Sequence, residues 1–410
     1  MSKTLSLIFF ILGLSLALRF MTFFTAQTAY IDGQILTFET KINGASKITS
    51  KGQSLTIDLP NGKRSYAILG SYPELNYGDS VKISGKITYF KGSQGSKVAF
   101  LRYPKFELIE KGIESNLLLS LRQKIVGFFE TSLPQTDSSL MLGIVFGIKE
   151  EFPQHFAENI KNTGLLHVIA ASGMNITMVG GFLSSLFAYF FKRQIALVLS
   201  IGGILLYAFL AGFEPSIVRA SIMGILVFSA QIMGRQTLSF LSLIFAGWAM
   251  LMIKPNLITD IGFQLSFMAT AGLITFRPLF YKKKKIKHVI EKSIIGEDLV
   301  TTVTAQIFTL PILLTTFGAY SLWSILVNAL VLWTVPPLMI IGAVAALLGI
   351  IASQTGTIVL LLAKPLLAYF EFMVNLFGSA GGLISLQNLP PTITLVYYLI
   401  LTAVIIRFRK

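Results

Sequence analysis

Asn162-Thr-Gly-Leu-Leu-His-Val-Ile-Ala-Ala-Ser-Gly-Met-Asn-Ile-Thr177 opens an apolar run that ends only at Lys192-Arg193. Roughly 20 apolar residues suffice to cross the hydrocarbon core of a bilayer. This run carries a histidine, a serine, an asparagine and two glycines near its start. Unpaired polar groups are costly in hydrocarbon, so they are kept for a partner helix, a cavity or a transported solute. The stretch therefore predicts a membrane-embedded bundle with a polar interior, not a simple anchor.

The rest of the chain agrees. Its 410 residues are 53% hydrophobic and 13% charged, against about 25% charge in ordinary soluble domains. Apolar runs recur at 163–191, 194–212, 216–233, 238–253, 257–276, 299–319, 321–352, 356–378 and 392–407. With Leu5 to Phe24, read as an uncleaved first span, they make about ten. The 321–352 run is too long for one straight helix, and Pro336-Pro337 predicts a kinked span or two half-helices there. Lys3, Lys192-Arg193, Arg235, Arg277 with Lys282–Lys285, and Arg407, Arg409 and Lys410 fall on one side in this count. The positive-inside rule makes that side cytoplasmic, with both termini.

Residues 30–110 change character. Ser54-Leu-Thr-Ile-Asp-Leu59, Ser65-Tyr-Ala-Ile-Leu69, Ser80–Phe90 and Val98-Ala-Phe-Leu101 alternate with turn signals at Pro60-Asn-Gly62, Asn76-Tyr-Gly-Asp79 and Gly92–Gly95. This predicts a small antiparallel β domain of five or six strands. The tight turn into a glycine-bent strand over 75–87 suits an OB-type barrel. Eleven Lys/Arg against seven Asp/Glu make it mildly basic, which suits either a solvated surface or a nucleic-acid face. Between the domain and the helices, 111–161 reads as amphipathic and interfacial, with Leu140–Ile148 too short to span. The division expected is thus 1–29, 30–110, 111–161 and 162–410, a polytopic α-helical membrane protein with an inserted, extracytoplasmic OB-like domain.

Several chemistries are excluded. The chain has no cysteine, hence no disulfide, thiol catalysis or Cys-based metal site. Its three histidines, His155, His167 and His288, are not spaced as metal ligands. The net charge of +15 is ordinary for cytoplasmic loops of a membrane protein. No cofactor, metal or catalytic residue is expected.

The polar residues fall in islands. Ser172 and Asn175, three apart on a helix, share a face from which His167 is turned away. That argues against an intramembrane serine protease, which needs a histidine base facing its serine. The simpler reading is packing, with Gly173, Gly180 and Gly181 allowing close approach. Glu214 and Arg219 are expected to pair across the first turn of a helix opened by Pro215. Asp260 and Gln264, at i and i+4, are expected to pair or to line a polar path. Gln306 and Asn328 follow in later spans. Together these nine residues are candidates for a passage or its gate, though the same pattern suits interhelical hydrogen bonds.

Four islands in order resemble the competence domain of the ComEC family: His167 to Asn175, Phe209 to Met223, Asp260 to Gly272, and Leu310 to Leu322 with Asn328. The β domain resembles that family's OB-like extracytoplasmic domain. The resemblance implies an inner-membrane channel that takes up single-stranded DNA during natural transformation in bacteria. It implies single-stranded DNA and the bilayer as partners, with a homo-oligomer left open. Many members continue into a metallo-β-lactamase-like domain, and some carry a disulfide in the OB-like domain. This chain stops at Lys410 and resembles a short form, so a separate nuclease and a separate motor are expected. Tyr66, Tyr72 and Tyr89 are candidates for base stacking, and Lys282–Lys287 for contact with the emerging strand, anionic lipid or a partner protein. A secondary transporter of a small or anionic solute, or a scaffold for a surface assembly, are the alternatives.

Overall fold

A computed structural model describes residues 3–25, 30–42, 47–49, 52–60, 64–70, 75, 79–91, 97–110, 117–148, 151–169, 172–281, 288, 296–385 and 391–409. The chain divides into two compact units. One holds Met1–Ser120 with Leu251–Asn256, the other Leu121–Met250 with Leu257–Lys410.

The first unit begins with α1 (Lys3–Thr25) and continues into seven strands. These are β1 (Ile35–Lys41), β2 (Lys47–Thr49), β3 (Gly52–Asp58), β4 (Arg64–Leu69), β5 (Ser80–Lys91), β6 (Lys97–Arg102) and β7 (Lys105–Glu110). They join in the order β1-β5-β6-β4-β3-β2, and β7 pairs β5. Period-2 alternation sorts their faces. Leu55, Ile57, Ala67, Leu69, Val81, Ile83, Ile87 and Leu101 point inward and are buried. Opposite them, Tyr66 pairs with Phe100 across β4–β6, and Phe100 with Thr88 across β6–β5, on the outer face. β5 is long enough to serve three partners, with β1 along Ser80–Lys86. It pairs β7 over Ser80–Ser84 and β6 over Ile87–Lys91. Gly85 lies at the switch, where a Cβ would stand 2.5 Å from that of Pro104. The expected glycine bend is therefore a close approach of two backbones.

The second unit is helical, and the ends of two of its helices, residues 117–120 and 251–253, cluster with the first unit. Its elements are α2 (Leu117–Ser132), α3 (Gln135–Met141), a π turn (Leu142–Phe146), α4 (Gln154–Thr163), α5 (Leu166–Ile169), α6 (Gly173–Phe190), α7 (Arg193–Leu210) and α8 (Pro215–Ile232). There follow α9 (Ser239–Ile253), α10 (Ile261–Thr275), α11 (Arg277–Tyr281), α12 (Gly296–Phe317), α13 (Ser324–Val331), α14 (Val335–Ile351), α15 (Ser353–Leu361), α16 (Lys364–Ser379) and α17 (Pro391–Arg409). Two short strands, β8 (Ala319–Ser321) and β9 (Leu383–Ser385), pair antiparallel.

Among the described residues, five helical stretches are long and apolar enough to cross a membrane: Leu166–Phe190, Arg193–Leu210, Pro215–Ile232, Gly296–Phe317 and Ser324–Ile351. The pair α15–α16, bent by 54°, makes a sixth if taken as one span. Phe9–Thr25, Ser239–Ile253 and Thr392–Arg407 are apolar but shorter. Exposed Leu, Ile and Phe run along α1 and α17, a surface suited to lipid.

The break at Pro336-Pro337 is present. Leu332–Thr334 tightens into a 3-10 turn, and both prolines sit in the first turn of α14, where their missing amides cost least. One segment is sharpened and one expectation corrected. Leu140–Ile148 packs in the core of the helical unit, with Leu140, Met141, Leu142 and Ile144 fully buried. Gly342 of α14 allows this, since a Cβ there would stand 2.6 Å from Met141 and Val145. The 163–191 stretch is not one helix, because Ser172 is extended, at φ −112° and ψ 169°, and caps α6.

Candidate functional site

Two polar networks sit at the two ends of the 162–177 stretch. The first is built on the start of α6. Ser172 Oγ donates to Asn175 Oδ1 at 3.1 Å, and the Asn175 amide donates to the Ser172 carbonyl at 3.1 Å. The two residues do come together, but as helix cap and first turn rather than as neighbours on a helix face. Asn175, 2% exposed, donates from Nδ2 to the Ile144 carbonyl at 2.8 Å and to Tyr207 Oη at 3.2 Å. Ile144 belongs to the π turn, which Gly147 ends at φ 68°. Such turns are rare and are frequent at functional sites.

Arg219, one turn into α8, is buried at 7% exposure. Its Nη1 donates to the Ser266 carbonyl and to Thr270 Oγ1 of α10. Its Nη2 lies against Gly173, where any Cβ would collide with it. Nε has no partner among the described residues. The expected ion pair with Glu214 is not formed. Five residues turn a helix by about 500°, so the two side chains leave on different sides. Glu214 instead sits at the N-cap position of α8. Arg219 thus joins the starts of α6 and α8 to the middle of α10, through a neutral carbonyl and a hydroxyl.

Asp260 and Gln264 do not pair either. Asp260 Oδ1 caps α10 by accepting the Phe263 amide at 2.9 Å. Gln264 Nε2 turns back to the Ile258 carbonyl at 2.8 Å. A carboxylate at an N-cap finds backbone donors within its own turn, which satisfies it before a side chain four residues on.

The second network joins α4, α12, β8, α13 and α16. Gln306 Nε2 donates to Ser324 Oγ at 2.5 Å, and Tyr320 Oη donates to Gln306 Oε1 at 2.6 Å. Ser321 Oγ donates to the Asn162 carbonyl, and Asn162 Nδ2 to the Gly378 carbonyl at 3.1 Å. Asn328, 1% exposed, leaves Oδ1 without a described partner. His167 stands between the networks on the single turn of α5, exposed, with Nδ1 3.0 Å from the Gly164 carbonyl. It does not touch Ser172, whose hydroxyl is committed to Asn175.

Sequence reasoning passed over Tyr207, Ser266, Thr270, Tyr320 and Ser324. Tyr207 had a usable signal, since a tyrosine inside an apolar span needs a partner for its hydroxyl. Of the three packing glycines, Gly173 and Gly180 make close contacts, but Gly181 faces open space. Its carbonyl accepts Ser184 and Ser185 instead. In the sheet, Tyr66 is 49% exposed. Tyr89 is half-buried and donates to the Tyr30 carbonyl at 3.3 Å, so it is not free to stack. Tyr72 and Lys282–Lys287 lie outside the described residues.

Residues 144–410 match the sequence-family model described as Competence protein. ComE operon protein 3 of Bacillus subtilis (strain 168) is 25% identical over 232 residues, covering 56% of this chain and 29% of that protein. An uncharacterized protein of Aquifex aeolicus (strain VF5) is 24% identical over 280 residues, 66% of this chain and 64% of its own length. The match spans less than two thirds of either relative.

Proposed function

The chain belongs to the Competence protein family, and from that premise we propose that it forms the membrane passage for single-stranded DNA in natural transformation. The observation that carries this reading is Arg219. A buried guanidinium inside an apolar span, bonded to neutral groups only, is expensive and marks a functional position by default. It ties three helices together at the point where Ser172, Asn175 and Tyr207 also converge. We read this seam as the closed gate of the passage. The Gln306–Tyr320–Ser324 network, with Asn328 behind it, forms a second polar layer. His167, Glu214, Asp260 and Gln264 border the route at helix starts and turns.

Taking α1, α9, α10 and α17 also as spans, with α15–α16 as one bent passage, gives ten. Both termini are then cytoplasmic and the β unit extracytoplasmic, in the inner membrane of a bacterial cell. The β unit is read as an OB-like barrel. In support, β1 pairs β5 and β2 pairs β3, both antiparallel, while β4 and β6 pair parallel.

Transformation in a naturally transformable host tests it. Replacing the gene with Arg219→Ala at equal membrane abundance is expected to lower transformation at least tenfold. Unchanged transformation in the gene-deletion strain would overturn the proposal.

A further inference from the structure

A cavity of about 330 Å³ opens between α6, α7 and α8, away from the polar seam. Ser184, Ser185 and Ala188 of α6, Arg193 and Leu197 of α7 and Gln231 of α8 line it. Its volume corresponds to about ten waters, enough for a phosphate group with its solvent. The serine hydroxyls donate to the Gly181 carbonyl, so they offer only lone pairs. Arg193 and Gln231 are exposed, and they supply the cavity's side-chain N–H donors.

The surroundings fix the depth. Tyr189, Phe190 and Phe191 are 85%, 68% and 47% exposed, and Lys192-Arg193 follow at once. Aromatic residues succeeded by basic ones mark the level where acyl chains meet headgroups. Ile195 and Val198 continue the exposed apolar surface on α7. A cationic donor in a gap between spans, at that level, suits an anionic lipid headgroup.

We propose that this cavity binds the headgroup of an anionic phospholipid, its phosphodiester held by Arg193 and the Gln231 amide. The proposal rests on α6–α8 being spans and is independent of what the passage carries, so a negative transformation assay leaves it standing.

The full-length chain, delipidated in detergent, tests it by thermal melting and native mass spectrometry. Phosphatidylglycerol is expected to stabilise and to remain bound, and phosphatidylcholine is not. Arg193→Ala should weaken phosphatidylglycerol binding about tenfold, the loss of one charge-assisted contact. Lys192→Ala removes the same charge next door without lining the cavity and should change binding less than twofold. Gln231→Leu gives a second reading that keeps the net charge. Equal binding of both lipids, equal loss in Lys192→Ala and Arg193→Ala, or full stabilisation by inorganic phosphate alone would each overturn the assignment.

Discussion

The hydroxyl of Tyr397 donates to the carbonyl of Ile307 at 2.9 Å, and that carbonyl is the acceptor that Pro311 leaves empty. Pro311 lies inside α12 and has no amide to offer the residue four positions back. The next tyrosine, Tyr398, donates to the Phe308 carbonyl at 2.7 Å. Neighbouring helices repair a proline break in this way wherever water is excluded. Tyr397→Phe should therefore cost about 1–3 kcal/mol, the usual penalty for a buried group left unsatisfied. In a Pro311→Ala background the amide returns and the cost should shrink. Melting of the four proteins in detergent gives the coupling, and equal costs in both backgrounds would refute the link.

Asp260 separates a capping role from a charged one. Asn caps a helix about as well as Asp, whereas Ala loses about 1 kcal/mol. Asp260→Asn should thus melt within about 0.5 kcal/mol of the parent, and Asp260→Ala about 1 kcal/mol lower. Transformation should follow the same order. A strong defect in Asp260→Asn with unchanged melting would show that the carboxylate's charge serves the passage.

Gly378 and Gly181 should respond in opposite directions. A Cβ at Gly378 would stand 2.5 Å from Asn159 Cβ and 2.7 Å from its Cα, and that backbone cannot turn away. The same packing holds the 2.9 Å bond from Asn159 to Asn375. Gly378→Ala should cost about 1–3 kcal/mol. Gly181 faces open space in mid-helix, so Gly181→Ala should stabilise by about 0.5–1 kcal/mol. Melting midpoints check both, and a stabilising Gly378→Ala would refute the contact.

What was legible in the sequence divides by the range of the forces involved. Long apolar runs, the alternating strands and the Pro336-Pro337 break are local patterns, and they reappear as elements. The π turn at Leu142–Phe146 is not local, because it exists where Gly342 of α14 admits Met141 and Val145. The expected side-chain pairs failed for a different reason. Glu214 with Arg219 and Asp260 with Gln264 match by spacing, but Arg219 bonds to α10, Asp260 caps its own helix and Gln264 turns back to the Ile258 carbonyl. Arg219 had to be seen against Ser266 and Thr270, 47 and 51 residues on, before its role as a tie between helices appeared.

The outer face of the sheet carries the last prediction. Tyr66 is half-exposed on β4, in register with Phe100 on β6, which is itself opposite Thr88 on β5. Arg102 is exposed two residues beyond Phe100 on the same face. Aromatic rings beside a cation form a platform on which bases stack, each worth about 1–3 kcal/mol. Because the Tyr66 ring is not part of the core, Tyr66→Ala should leave melting nearly unchanged. It should weaken binding of a single-stranded oligonucleotide to the full-length protein about tenfold, a loss of about 1.4 kcal/mol. Arg102→Ala should act differently, weakening binding at low salt and flattening its salt dependence. Fluorescence anisotropy with labelled oligonucleotide across a salt series checks both. If neither variant changes binding, the strand is received elsewhere on the molecule.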